Sequence, residues 1–486
     1  SNLLYYELFF IMETCEINTE INLTNTNSLM CISPIDGRYS DYTKKLQKYF
    51  SEYALIYYRT YIEITYLYKL SSRLNLLNNT ERDTLNSIIL NFSIQDANRI
   101  KDLEKITNHD IKAIEYFIGE KCKSLGLSHI VSYIHFGLTS QDINNTAIPL
   151  SLNKYVTHDY YEDISNIINK LNLLALSASF ITILAHTHGQ PASPTSFGKE
   201  LKVFSYRLEK QFNQLKKIKY WAKFGGAVGN FNAHFVAYPN INWVEFSDEY
   251  ITSIGLYRNK YTTQIDNYEN LSTLFDNLVR INLILIDMCR DIWSYISMEY
   301  LKCKVVENEV GSSTMPHKVN PIQFENAEGN LLMANSILTF LSQKLPVSRL
   351  QRDLTDSTVL RNIGVAFGHI TIAFKNIMKG LNKIDINIEK INEDLNKNMV
   401  VISEAIQTIL RKYNYPNAYE MLKKLTRNNT KLTKYDINDF IDSLEIPTYI
   451  KQEMLVVTSY NYVGYGGNYN IYENLKTDRN VITSIV

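Results

Sequence analysis

Apolar residues recur every three or four positions in three long stretches of the chain, at 271–295, 331–345 and 360–384. This spacing places the apolar side chains on one face of a helix, so each stretch predicts a long bundle helix. The first helix is expected from about Asp266 to Lys302, roughly 50 Å at 1.5 Å per residue. One small domain would not cover so long an apolar face, and the pattern therefore predicts association between copies of the chain.

Shorter helices are predicted at 42–72, 157–178 and 195–220, with Ser193 as the cap and Pro194 as the first residue of the last one. Turn residues interrupt the pattern between 222 and 245. The chain shows no alternation typical of strands, no internal repeat and no glycine-rich dinucleotide motif. The pattern therefore predicts an all-α protein.

A chain of 486 residues exceeds the size of a single core. Breaks in the pattern divide it into a poorly ordered extension (1–30), a helical domain (31–128), a long-helix domain (129–382) and a C-terminal helical domain (383–486). The first thirty residues contain no Lys or Arg, so they resemble neither a signal peptide nor a transit peptide.

Charge and cysteine usage exclude several classes of function. The 50 basic and 50 acidic residues balance, which gives no global field for nucleic acid or a membrane surface. No segment is apolar for long enough to cross a bilayer. The five cysteines lack zinc-like spacing, which favours reduced thiols in the cytoplasm. His186 and His188 have no Cys, Asp or Glu close by, and no metal site is expected.

The densest chemistry lies at 311–321, Gly-Ser-Ser-Thr-Met-Pro-His-Lys-Val-Asn-Pro. A glycine allows close backbone approach, hydroxyls follow it, and Lys318 supplies a compact cation. Asn320 is predicted as the N-cap of the next helix with Pro321 at its first position. These groups suit binding of a carboxylate and removal of the proton beside it.

Polar clusters stand at further predicted helix starts. Thr-Asn-His-Asp at 107–110 and Thr-Ser-Gln-Asp at 139–142 both have capping-box spacing. Singly they read as caps, but with Asn320 they make three helix N-termini suited to an anionic substrate. The string at 186–191, His-Thr-His-Gly-Gln-Pro, is predicted as a loop between helices that carries imidazoles for proton transfer near neutral pH.

Arginines and hydroxyls alternate at 349–361. Arg349, Arg352 and Arg361 flank Asp-Leu-Thr-Asp-Ser-Thr, and two interpretations stay open: ion pairing among these charges, or phosphate recognition by Arg with help from Ser357. Asp-Gly-Arg-Tyr at 36–39 adds another arginine on a turn.

Taken together, these motifs resemble the fumarase/aspartase superfamily, whose members cleave a C–N or C–O bond and release fumarate by anti elimination. The carrying pattern is Gly-Ser-Ser-x-Met-Pro-x-Lys-x-Asn-Pro, and the likeness spans about 31–460. The histidine in Met-Pro-His-Lys and the strings at 33–39, 187–192, 262–264 and 352–362 are similar to the branch that acts on succinylated purine nucleotides. The resemblance implies three helical domains, a homotetramer with shared active sites, small-molecule nucleotide substrates, and neither cofactor nor metal.

The resemblance also implies residue roles. Ser312 is expected as the general base, His188 as the general acid and Glu325 as the residue that orients His188; Lys318 and His109 complete the catalytic set. The expected reactions release fumarate from the succinyl adduct of AMP and from the succinyl-carboxamide intermediate of purine synthesis. The expected substrate contacts are Arg38, Tyr39, Asn108, His109, Asp110, Thr139, Ser140, Gln264, Ser313, Lys318, Val319, Asn320, Asn326, Arg352, Ser357, Thr358, Val359, Leu360 and Arg361.

Two alternatives stay open. Another fumarate-releasing lyase, such as argininosuccinate lyase, fumarase or aspartase, would share the loop at 311–321 but would not need the arginines and Ser357 for a phosphate. A non-catalytic bundle protein could reuse the fold, although the presence of Ser312, His188 and Lys318 together argues against it.

Overall fold

The computed structural model describes residues 28–304, 319–428 and 432–468. The chain divides into two compact units, one up to Lys45 and one from Leu46 onwards. In the first unit, the Thr43 hydroxyl donates a hydrogen bond to the Ile35 carbonyl at 2.8 Å. This bond closes the turn that carries Asp36-Gly37-Arg38.

Helices make up most of the described chain, which confirms the all-α prediction. The α-helices are α1 (Ser40–Thr43), α2 (Gln47–Phe50), α3 (Glu52–Leu74), α4 (Asn79–Leu90), α5 (Ile94–Thr107), α6 (Asp110–Ser124), α7 (Ser140–Tyr155), α8 (Tyr161–Ser177), α9 (Phe197–Leu215), α10 (Asn232–Ala237), α11 (Trp243–Ser253), α12 (Glu269–Ser297), α13 (Ile322–Lys344), α14 (Thr355–Leu360), α15 (Ile363–Asn382), α16 (Ile388–Lys397), α17 (Ser403–Lys412), α18 (Ala418–Asn428), α19 (Lys434–Ser443) and α20 (Thr448–Leu455). Short 3-10 turns cover Ser28–Met30, Lys44–Leu46, Ser128–Tyr133, Met399–Ile402 and Gly464–Asn468, and a π turn covers Val156–Tyr160.

Within the described ranges, three two-stranded sheets correct the expectation that the chain has no strands. Strands β1 (Thr182–Thr187) and β2 (Gln190–Ser196) form an antiparallel hairpin; β3 (Trp221–Ala222) and β4 (Tyr257–Arg258) pair in parallel; β5 (Leu301–Cys303) and β6 (Ile384–Ile386) pair antiparallel. Strands of two or three residues are too short to alternate visibly. The longer β1 continues an apolar stretch of the sequence. The periodicity of such a stretch does not distinguish a strand from a helix.

The three predicted long helices are present as α12, α13 and α15, and they pack on one another. Tyr268 and Glu299, both with positive φ, bracket α12, so it is shorter at both ends than predicted. The apolar faces are buried, as at Leu278, Leu338 and Phe367. Because helices of the same chain cover these faces, the geometric reason given for association was wrong, and oligomerisation stays a prediction.

The shorter helices match their predictions with shifted ends. Ser51 ends the first turns of the predicted 42–72 helix, and its hydroxyl caps α3 by accepting from the Ala54 N–H at 3.1 Å. Ser193 and Pro194 lie in β2 rather than at the start of α9, which corrects that assignment. Ser196 is the cap, since its hydroxyl accepts from the Lys199 N–H. Ser193 and Pro194 lie within the hairpin, so the helix begins after the next serine, Ser196.

The described part of the second unit contains two apolar cores. The larger core runs from Leu46 to Leu395 and includes the three long helices. A second cluster gathers residues 399–454, with Ile406, Leu410 and Met454 fully buried. No helix in the described ranges is both long enough and apolar enough to span a bilayer.

We expect Leu338→Ala to lower the free energy of unfolding by about 2–5 kcal/mol, because it leaves a cavity where α13 meets its neighbours. Leu338 is fully buried, whereas Leu90, at the end of α4, is 80% exposed. Chemical denaturation of Leu90→Ala provides the matched control, with an expected change within about 0.5 kcal/mol. Equal losses in the two variants would contradict the packing described here.

Candidate active site

Residues from three distant segments meet around Arg352, which lies in the loop before α14. Its guanidinium donates to Gln264 Oε1 at 3.3 Å and to Ser357 Oγ at 3.1 Å. Gln141 Nε2, from the first turn of α7, donates to the same Ser357 oxygen at 3.2 Å. We call Gln141, Gln264, Arg352 and Ser357 the arginine cluster. Of its members, only Gln141 was not predicted as a substrate contact.

The arginine cluster has unused hydrogen-bonding capacity. Ser357 Oγ already accepts two hydrogen bonds, so its own proton remains to be donated. Arg352 Nε is buried and has no acceptor within the described residues, the nearest carboxylate oxygen being Asp356 Oδ1 at 3.9 Å. A buried donor without a partner is costly and marks a position where a ligand oxygen would be accommodated.

A second group of charges lies beside the cluster. Arg361 contacts Glu52 at 2.9 Å and Asp110 at 3.6 Å, and the buried Arg59 contacts Asp110 at 2.8 Å. Burial favours the neutral carboxyl, but Arg59, the Ile111 N–H and Arg361 outweigh it and lower the pKa of Asp110. Asp110 therefore remains an anion between two cations.

One cavity touches both groups, but Gln141 and Ser357 are the members of the arginine cluster that line it. Its polar lining includes Arg59, Asp110, Gln141, Ser357 and Arg361, and its apolar lining includes Phe50, Tyr58, Leu152 and Leu360. Such a lining is compatible with binding a phosphate group through its polar part and an aromatic ring through its apolar part.

The ion-pairing alternative holds for Arg349 and for Arg361, whereas within the described residues Arg352 has only a long charge contact, to Asp356 at 3.9 Å. Arg349 forms an exposed i,i+4 pair with Asp353 at 3.0 Å, and its side chain is 80% exposed. Arg352, in contrast, is mostly buried and hydrogen-bonds to neutral groups. Arg349 and Arg352 therefore differ in how far their charge is already neutralised.

The corner at 107–110 joins α5 to α6, and its cap is not the predicted one. Asn108 has φ 48 and ends α5, while His109 is the N-cap of α6 and accepts from the Lys112 N–H at Nδ1. Thr107 belongs to α5, so no Thr107–Asp110 capping box forms. Since Nδ1 is an acceptor, the proton of a neutral His109 ring is on Nε2, and the side chain is exposed.

The corner at 139–142 is held by a buried ion pair. The Asp142 carboxylate accepts from the Thr139 N–H at 2.8 Å, which confirms the acidic half of the predicted capping box. It also accepts from Lys223 Nζ at 2.7 Å and from the N–H groups of Gly225 and Gly226. Both charged side chains are fully buried. Lys223 was not among the predicted residues, although its place between apolar residues and two glycines, in Trp-Ala-Lys-Phe-Gly-Gly, was a usable signal.

His188 stands at the tip of the β1–β2 hairpin, which corrects the predicted loop between helices. Thr187 pairs with Gln190, so His188 and Gly189 form a two-residue turn with φ 53 and 72, as in a type I′ turn. Histidine followed by glycine tolerates these angles. His188 is exposed, whereas His186 packs against Tyr300.

Glu325 and Asn326 lie on the first turn of α13. Glu325 Oε1 accepts from the Trp293 indole at 3.0 Å, and Asn326 accepts from Asn330. Across the described ranges, no hydrogen bond or ion pair links His188 to Glu325, or either of them to the arginine cluster.

The start of α13 also differs from its prediction. Pro321, not Asn320, holds the N-cap position, because the Phe324 N–H donates to the Pro321 carbonyl at 3.1 Å. Val319 is exposed just before it.

The remaining predicted residues are only partly described. Ser312, Ser313 and Lys318 lie outside the described residues. In the first unit, the Arg38 guanidinium lies over the Tyr39 ring at 5.7 Å. On α14, Thr358 is exposed, Val359 half-buried and Leu360 buried. Within the described residues, no group of three or more His, Cys, Asp or Glu side chains could hold a metal ion.

Two family models match the chain: "Lyase" over residues 37–335 and "Adenylosuccinate lyase C-terminal" over 348–463. Among curated proteins, the adenylosuccinate lyase of Dictyostelium discoideum is 54% identical and those of Buchnera aphidicola and Escherichia coli K12 are 46% and 44% identical. In each case the match covers 90% of this chain and 97% of the relative. The chain therefore belongs to the lyase family. Within that family, it belongs with the adenylosuccinate lyases.

Solved structures support the fold alone, because their identity to this chain is low. A fumarate lyase from Mesorhizobium sp. BNC1 superposes with a TM-score of 0.74 at 15% identity, covering 90% of this chain and 98% of that one. A 3-carboxy-cis,cis-muconate lactonizing enzyme from Pseudomonas putida gives 0.71 at 17% identity, covering 88% and 96%.

The segment that leads into the 139–142 corner packs against a buried neutral histidine, His234. The His234 ring leaves no room for a side chain at Gly137, where a Cβ would lie 2.6 Å from it. Tyr66 donates its proton to the Phe136 carbonyl at 2.7 Å, so His234 Nε2 donates to the Tyr66 oxygen at 3.0 Å. Burial lowers the pKa of His234 to about 4.

Stability should therefore fall as the pH drops from about 6.5 towards 4, because the unfolded chain takes up the proton first. The slope contributed by His234 is at most about 1.4 kcal/mol per pH unit. Urea unfolding at pH 7 and pH 5 should show a smaller difference for His234→Phe than for the wild type. His158, an exposed histidine on the π turn, provides the control through His158→Gln, and an unchanged slope in His234→Phe would contradict the assignment.

Proposed function

We propose that this protein cleaves adenylosuccinate into AMP and fumarate, and that it removes fumarate in the same way from the succinyl-carboxamide ribotide of purine synthesis. The observation that carries the proposal is the arginine cluster, an incompletely neutralised anion site in a chain that belongs with the adenylosuccinate lyases. No cofactor is needed for this elimination.

The proposed phosphate contacts are Arg352, Ser357 and Arg361. Arg352 has a buried N–H without an acceptor among the described residues, and Ser357 has a proton left to donate. Arginine presents a planar fork of donors that matches phosphate oxygens. A non-phosphorylated substrate such as argininosuccinate would leave the buried Arg352 N–H unpaired, which disfavours the alternative lyases.

In the proposed elimination, Ser312 removes a proton from the succinyl carbon next to a carboxylate. The electron pair moves into that carboxylate to give a dianion, and it then forms the C=C bond of fumarate as the C–N bond breaks. His188 donates a proton to the departing purine nitrogen. Lys318 and the helix start at Ser140 would stabilise the negative charge during this sequence.

We also propose that the active site is shared between subunits of a homotetramer. His188 and Glu325 have no described hydrogen bond or ion pair with the arginine cluster, or with each other, in one chain. Glu325 instead accepts from Trp293. The long helices α12 and α13 still expose large apolar side chains, namely Leu283, Leu332, Met333 and Phe340. Apolar residues exposed together on long helices favour association through those faces.

We expect Ser312→Ala and His188→Ala each to lose about 100-fold or more in turnover, because each removes one proton-transfer group. Turnover is measured from the change in ultraviolet absorbance as adenylosuccinate is converted to AMP. When the two variants are mixed and their subunits exchanged, sites that draw Ser312 and His188 from different chains should regain activity. Subunit exchange verified by mass spectrometry without any recovery would argue against shared sites.

We expect Arg352→Ala to raise KM for adenylosuccinate about 10- to 100-fold, the range for a hydrogen bond to a charged group. Arg349→Ala is the matched control and should leave KM unchanged, because Arg349 is exposed and pairs with Asp353. Thermal melting should show that both variants remain folded. Protection of the wild type by argininosuccinate but not by AMP would reject the nucleotide assignment.

A further inference from the structure

Tyr268, just before α12, connects three segments that carry the arginine cluster. Its side chain is buried, with a relative exposure of 1%. Its hydroxyl donates to Asp356 Oδ2 at 2.8 Å and accepts from Asn145 Nδ2 at 2.7 Å. Asn145 Oδ1 in turn accepts from the Asp266 N–H at 3.0 Å. The hydroxyl thus joins α7, the segment after Gln264, and α14.

Asp356 passes this connection to the cluster. Its carboxylate is buried, and its second oxygen, Oδ1, accepts from the Ser357 N–H at 2.8 Å. The same oxygen lies 3.9 Å from Arg352 Nε, which is beyond hydrogen-bonding distance. Two groups of the proposed phosphate site therefore adjoin one oxygen of Asp356, while Tyr268 binds the other.

The Tyr268 hydroxyl is a permanent donor in this arrangement. Burial, with the nearby Asp356 charge as a further cause, raises the pKa of Tyr268 well above its usual value. A buried carboxylate is costly unless neighbouring donors form hydrogen bonds or ion pairs with it. With Tyr268 bound to Oδ2 and the Ser357 N–H bound to Oδ1, Asp356 is partly compensated without a close contact to Arg352. Arg352 can then keep its bonds to Gln264 and Ser357 and retain a free N–H.

We infer that Tyr268 is a positioning residue for phosphate recognition, acting through Asp356 on Arg352 and Ser357. The inference rests on the proposed function, because it takes the nucleotide phosphate as the ligand of the cluster. Without the Tyr268 hydroxyl, Asp356 draws Arg352 Nε into a close ion pair and removes it from the ligand.

The test compares AMP with adenosine by titration calorimetry on the full-length protein. Tyr268→Phe should weaken AMP binding about tenfold, because Arg352 loses about one hydrogen bond to the phosphate. Adenosine binding should not change. In turnover, KM for adenylosuccinate should rise while kcat changes little. Asp356→Asn removes the charge that would draw Arg352 away, so it should not weaken AMP binding relative to adenosine. If Tyr268→Phe does not fold, a selective loss of AMP binding in Asp356→Asn would overturn the inference.

Tyr250→Phe is the matched control. Tyr250 is equally buried and donates to the Ile62 carbonyl at 2.9 Å, away from the cluster. It should lose stability without changing the preference for AMP over adenosine. If Tyr268→Phe weakens both ligands alike, or no more than Tyr250→Phe does, the inference is overturned while the proposed function stands. If the wild type binds AMP no better than adenosine, the phosphate assignment in the proposed function fails, and the inference fails with it.

Discussion

The buried pair of Asp142 and Lys223 is the interaction on which the arrangement of the site depends. A charge removed from water must be paired and hydrogen-bonded, and Asp142 meets that demand with Lys223 and three backbone N–H groups from two segments. From Gly226 the connection continues along the backbone to the Ala227 carbonyl, which accepts from Gln264. Gln264 contacts Arg352, Arg352 contacts Ser357, and Ser357 contacts Gln141, the neighbour of Asp142. The contacts form a closed ring.

A ring of this kind explains how residues far apart in the chain hold their relative positions. Each member is fixed from two sides, so moving one segment breaks bonds at both of its ends. Tyr268 and Asp356 brace the ring from the interior. The long helices supply the frame, since their buried faces leave little freedom at the ends where the polar residues lie.

Outside this ring, the proton-transfer candidates are exposed on tight corners. His188 occupies a type I′ turn and His109 caps a helix directly after a left-handed Asn108. A tight corner presents a side chain rigidly while leaving it open to solvent. The chain thus separates a largely buried polar ring from exposed imidazole groups.

The amino-acid pattern alone determined the helical class, the three long helices and the identity of the motifs. These features follow from local spacing, because a repeated apolar face leaves a helix few alternatives. The tertiary structure decided the rest. Thr107, Ser193 and Asn320 all had the chemistry of a cap, but His109, Ser196 and Pro321 hold the positions, because neighbouring segments decide where each helix begins. Tyr268 looks like an ordinary tyrosine in the sequence, and Lys223 differs only in its apolar and glycine neighbours. Their roles come from burial beside Asp356 and Asp142, through contacts across more than 80 residues.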